Sequence, residues 1–151
     1  MQVTFPRYGF LGLMLLCTAC TIGTPESPYL SARGPSAELK LKMGIKSKAL
    51  GKIRNQRLTH ELLALQEDGV LVLVRDKIAL IDYNALLSYS FSGKKLIFRK
   101  KYQPETVRSR ITGLAGGQIN LLTRFPQGVS DSVMHALLRA HNQDTLIRVS
   151  R

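Results

Sequence analysis

Two cysteines, three histidines and ten carboxylates are the side chains from which this chain of 151 residues could assemble covalent, metal or acid–base chemistry. The histidines do not converge. His135 and His141 stand six residues apart on what reads as one helix, which turns them about 240° from each other and keeps them from clasping one metal. His135 shares the polar face of that helix with Arg139 and reads as solvated; His141 falls in the last turn, where a cation offsets the helix dipole. His60 and Glu61 have the types of a base and its orienting carboxylate, but neighbours in a strand point to opposite faces. Asp68, Asp76 and Asp82 fall at turns or strand ends, where aspartate is expected for its local hydrogen bonding. No G-x-S-x-G, H-E-x-x-H or phosphate-loop spacing occurs, and GLAGGQ, residues 113–118, has glycines without the spacing of a nucleotide loop and reads as a turn. The expectation is a chain that is not an enzyme, holds no metal and needs no cofactor.

The elements that must carry these side chains follow from periodicity. ELLALQ (61–66), VLVLV (70–74) and IALID (78–82) are apolar, β-rich runs separated by EDG (67–69) and by Asp76 and Lys77, the pattern of antiparallel hairpins. Residues 70–74 are apolar throughout and are assigned to the central strand. Tyr83 and Asn84 mark a break, after which LLSYSF (86–91) and LIFRKKY (96–102) flank SGKK (92–95) as a further hairpin. Three strands, a short break and more strands loosely resemble bacterial pleckstrin-homology-like sheets. Pro104 suits a first helical turn, with Val107, Ile111 and Leu114 on one stripe and Gly116 and Gly117 as a stop. The β-branched Thr106, Val107, Ile111 and Thr112 leave strand open as an alternative there. Ser130 is an N-cap, Asp131 suits the positive helix end, and Val133, Met134, Leu137 and Leu138 form an apolar stripe ending near Asn142. The fold class is α+β, a small, mainly antiparallel sheet or meander with one or two C-terminal helices. With no Trp, its modest core is built from Leu, Ile and Val.

The N-terminus carries a different signal. Arg7 supplies a short positive region, residues 10–16 are apolar, and LLCTAC (15–20) ends the run with small residues and a cysteine. The run falls short of the ~18 apolar residues a spanning helix needs. It resembles the lipobox of bacterial lipoproteins, matched here by Leu16, Thr18, Ala19 and Cys20, with Cys17 where the family usually has Leu. The resemblance implies cleavage before Cys20, acyl chains on Cys20, and a mature chain left without a free thiol. Thr21 follows the cysteine in place of the Asp that often retains such proteins at the inner membrane. The resemblance therefore implies a lipid-anchored protein of the outer membrane, facing the periplasm. Residues 1–19 are then a signal peptide, 20–37 a lipidated tether rich in Pro, Gly, Ser and Thr, 38–57 a basic alternating segment, and 58–151 the α+β domain.

Charge is segregated. The chain carries +12, and between Arg33 and Arg57 eight basic residues face Glu38 alone. Leu39, Leu41, Met43 and Ile45 alternate with Lys40, Lys42, Gly44 and Lys46, the period of a strand with one apolar and one cationic face; Lys48, Lys52 and Arg54 follow. A second cluster holds Lys94, Lys95, Arg99, Lys100, Lys101, Arg108 and Arg110 against Glu105. The two sum to more than the net charge of the chain beyond the signal, so everything else is slightly acidic. Two readings stand side by side: a solvated strand face whose lysines protect an edge from aggregation, and a face binding anionic lipid, lipopolysaccharide phosphate or peptidoglycan carboxylate. Nucleic acid is not expected as a partner of a secreted chain. An alternative in another class is an interaction subunit of an envelope assembly, pairing with a protein partner through the alternating strand.

Overall fold

The computed structural model describes residues 27–30, 36–45, 49–51, 56–91, 93–98, 102–114 and 123–151. The alternating and continuous apolar runs become seven strands: β1 (Ser36–Leu41), β2 (Arg57–Leu65), β3 (Gly69–Val74), β4 (Lys77–Asp82), β5 (Leu86–Phe91), β6 (Lys94–Ile97) and β7 (Ile147–Val149). They form one sheet in the order β6-β5-β1-β2-β3-β4-β7, antiparallel except for the β4–β7 pair. Among the described residues three α-helices flank it, α1 (Ser27–Leu30), α2 (Pro104–Leu114) and α3 (Asp131–Ala140), and a 3-10 turn at Tyr83–Ala85 joins β4 to β5. The protein is thus α+β with a mainly antiparallel sheet, and every described element lies within residues 27–151.

Local chemistry sets the connections. The β3–β4 turn consists of Arg75 and Asp76, both left-handed at φ 46° and 63°, one residue earlier than the sequence suggests. A two-residue loop with positive φ at both positions matches the twist of the flanking strands. Lys94 and Lys95 belong to β6 and not to the preceding turn, because Phe91 pairs with Lys94 across a tight connection in which Gly93 has φ 77°. Gly69 pairs with Asp82, and a Cβ there would fall 2.5 Å from the Ile81 carbonyl oxygen, so only glycine fits.

The sheet buries both faces in part. The first face carries the larger core, with Leu39, Leu62, Val72, Ile81 and Tyr89 closed off by Val107 and Ile111 of α2. The second face packs Leu63, Leu71, Ile78 and Leu80 against Leu137 and Leu138 of α3. Ser130 caps α3, its hydroxyl accepting from Val133 N at 3.5 Å. β3 contributes Val70 and Val72 to one core and Leu71 to the other, so it is apolar throughout because both of its faces are covered.

Three expectations about the N-terminal half are corrected. The alternating run that begins at Leu39 leaves the strand after Leu41: Met43 is 83% exposed and Gly44 turns at φ 87°. The strand begins at Ser36 and pairs with β2 on one side and β5 on the other. Residues 36–41 are therefore an interior strand of the domain. They are neither the end of a tether nor a separate basic segment, nor an edge open to a partner strand. Within residues 20–37, α1 is docked, with Tyr29 stacked on Phe125 at 6.0 Å between ring centroids and packed on the second core.

Candidate anion-binding face

Among the described residues α1 and α3 cover the second face over β3, β4 and the C-terminal half of β2. At β6, β5, β1 and the start of β2 the same face exposes Arg57, Thr59, Lys95 and Ile97, with Glu38, Lys40 and Ser90 half-buried and Ser88 buried, and register fixes how they stand. Lys40 pairs with Arg57 on one side and Ser88 on the other, and Ser88 pairs with Ile97, giving a cross-strand row Ile97, Ser88, Lys40, Arg57. The adjacent row on the same face is Lys95, Ser90, Glu38, Thr59. With strands about 4.8 Å apart, each row spans about 14 Å. Arg57 Nε lies 3.9 Å from Glu38 Oε1 in an exposed, weak pair. Among the described residues neither Lys40 nor Lys95 takes part in an ion pair. The face is cationic and carries one exposed large apolar side chain, Ile97, 64% exposed.

Of the site residues expected from sequence, Lys40 and Lys95 meet on this face. Lys42 follows β1, its amide donating to the Ala85 carbonyl at 2.9 Å. It lines a pocket of about 310 Å³ at the sheet rim with Met43, Leu87 and Phe98. Lys94 pairs with buried Phe91 and so stands on the opposite face at the edge strand. Cys20, Lys46, Lys48, Lys52, Arg54, Arg99, Lys100 and Lys101 lie outside the described residues. Arg108 and Arg110, counted in the second cluster, are exposed on α2, which covers the first face; Arg110 sits over the Tyr102 ring at 4.5 Å. Arg57, counted in the first basic cluster but not among the expected site residues, and Ile97 are the additions that the structure makes. Apart from that count their only sequence signal is the strand period, and pairing register was needed to bring them beside Lys40.

The border between the open and covered halves is an ion pair. Glu61 follows Thr59 on the same face and accepts two hydrogen bonds from Arg124, at 3.1 Å from Nε and 2.7 Å from Nη2. Arg124 is almost fully buried and Glu61 nearly so, at 2% and 11% side-chain exposure. The remaining guanidinium nitrogen, Nη1, donates to the Tyr29 carbonyl of α1, which also lies 3.2 Å from His141 Nε2. Burying two charges is costly unless each is fully paired, which this fork geometry achieves. The cluster fastens α1 to the sheet and holds no reacting group.

His60 points the other way, into the first core, as expected from its alternation with Glu61. Its Nδ1 donates to the Leu58 carbonyl at 3.3 Å and its Nε2 accepts from the Tyr89 hydroxyl at 3.0 Å. Burial pushes its pKa down to about 4, against the Leu58 hydrogen bond, and pushes the Tyr89 phenol up. Both are neutral structural groups with no solvent-facing side. His135 is exposed on α3, and among the described residues no set of three His, Cys, Asp or Glu side chains could hold a metal ion. A groove of about 1060 Å³ between α2 and the β2–β3 turn is lined by Glu67, Asp68, Glu105 and Arg108. Its Asp68 is held by Arg148 of β7. No helix among the described residues is long and apolar enough to cross a membrane. The chain matches no protein-family model, no curated protein and no solved structure.

Proposed function

We propose that this chain is a non-catalytic, lipid-anchored envelope protein that holds an anionic envelope component on the open half of its sheet. In this reading Cys20 carries the acyl chains, Thr21 directs the protein to the outer membrane, and the domain faces the periplasm. The observation that carries the binding reading is the register: Lys40 from the first basic cluster and Lys95 from the second stand on one sheet face, with Arg57 of β2 directly across from Lys40. Lysines placed only to guard an edge would sit on edge strands; Lys95 does, on β6, but Lys40 is on an interior strand paired on both sides. Pairing with a protein partner through a strand edge loses β1 as its vehicle, since β1 has neighbours on both sides.

The experiment has two independent arms. Labelled palmitate is incorporated into the wild type and not into Cys20→Ser, whereas Cys17→Ser labels normally; equal labelling of both variants overturns the anchor. Retention of the chain from residue 21 on anionic envelope fractions falls steeply with ionic strength, because exposed charges are screened within about 8–10 Å at physiological salt. Retention independent of salt overturns the charged face.

A further inference from the structure

The identity of the anionic component follows from the shape and surroundings of the face. We infer that the open half-sheet is a contact for the bilayer surface itself, with Lys40, Arg57 and Lys95 on lipid phosphates and Ile97 inserted between headgroups. This rests on the lipid-anchored reading for its geometry, and three observations support it. The face is wide, two cross-strand rows of four residues, with buried Ser88 and half-buried Ser90 on the strand between those that carry Lys95 and Lys40. The concavities described above lie elsewhere, lined by other residues, so the face suits an extended charged surface better than a single small anion. An exposed apolar side chain accompanies the cations: Ile97 stands two residues from Lys95 on the same face. A cation that meets phosphate beside an apolar side chain that enters the headgroup layer is the chemistry of a bilayer interface.

The third observation is the side on which the anchor leaves. α1 packs on this same second face, over its covered half, fastened through the Tyr29 carbonyl to Arg124 and through Arg124 to Glu61. Cys20 precedes Tyr29 by nine positions, a span of at most about 30 Å when fully extended. The lipid attachment point therefore joins the fold through an element docked on the side of the sheet that carries Lys40, Arg57 and Lys95.

The test uses the non-acylated chain from residue 21, which retains every described element, and vesicles of phosphatidylglycerol or of phosphatidylcholine. Flotation with the first and not the second is expected. Each basic residue close to an anionic surface strengthens binding about fivefold, so Lys40→Gln, Arg57→Gln and Lys95→Gln together weaken it about a hundredfold. Arg108→Gln with Arg110→Gln, on the opposite side, changes it by no more than a few-fold. Ile97→Ser lowers binding several-fold and leaves its salt dependence unchanged. Equal loss from the α2 pair would mean that net charge alone is responsible and overturns the inference, as does binding to isolated peptidoglycan with none to vesicles. Because no acyl chain is present, these outcomes are independent of palmitate labelling at Cys20, so failure of the face and failure of the anchor are told apart.

Discussion

Acid should weaken this fold through one buried side chain. His60 is 3% exposed and neutral, with both ring nitrogens satisfied inside the first core. In the unfolded chain its pKa returns to 6.5, against about 4 in the folded state. The unfolded state therefore takes up a proton, as pH falls through 6.5, that the folded state refuses until about pH 4. Stability contributed by neutral His60 is intact above pH 6.5, declines below it, and is lost by about pH 4. Linkage gives a loss of about 2 kcal/mol between about pH 7.5 and about pH 5, approaching about 3 kcal/mol at still lower pH. That is a large share of the 5–15 kcal/mol that stabilises a typical domain. Urea unfolding at the two pH values, for the wild type and for His60→Gln, isolates the effect, since carboxylates common to both proteins cancel in the difference. The wild type should lose about 2 kcal/mol more than the variant over this interval. Parallel pH dependence in the two proteins would refute the reasoning and mean that water reaches His60.

Two further outcomes test the second face. Arg124→Met leaves Glu61 buried without its partner and should cost about 3–5 kcal/mol in urea unfolding, while adding Glu61→Leu should recover most of that loss; equal stability of the single and double variants would show that the pair is not desolvated. Leu137→Asp puts a charge at a fully buried position of α3 and should cost several kcal/mol (~3 or more), whereas Arg139→Asp, exposed in the last turn of the helix, should cost less than ~1 kcal/mol. Similar thermal midpoints for those two variants would mean that the α3 stripe is not core.

What the sequence alone determined is whatever depends on neighbours within a few residues. The strands of the β2–β3–β4 meander, the break at Tyr83 and Asn84, and α3 with its Ser130 cap and its Leu137 and Leu138 stripe are all local patterns of period and capping, and the structure has them. The opposition of His60 and Glu61 follows from the strand period in the same way. What only tertiary structure decided depends on partners far along the chain. The alternation from Leu39 to Ile45 is the same whether a strand lies at an edge or in the interior. Pairing with both β2 and β5 made β1 an interior strand, and the register of those pairings brought Lys40 beside Arg57 and onto the face of Lys95 and Ile97. Ile147 to Val149 is too short to announce itself as a strand, and it exists because β4 offers it a parallel edge. Tyr29 sits in a proline-rich segment whose composition reads as tether, and its docking required Arg124 and Phe125, almost a hundred residues away, to fold over the second face. Composition and spacing fix which side chains can line a face; which faces are covered, and so which cations remain open to a ligand, is set by long-range packing.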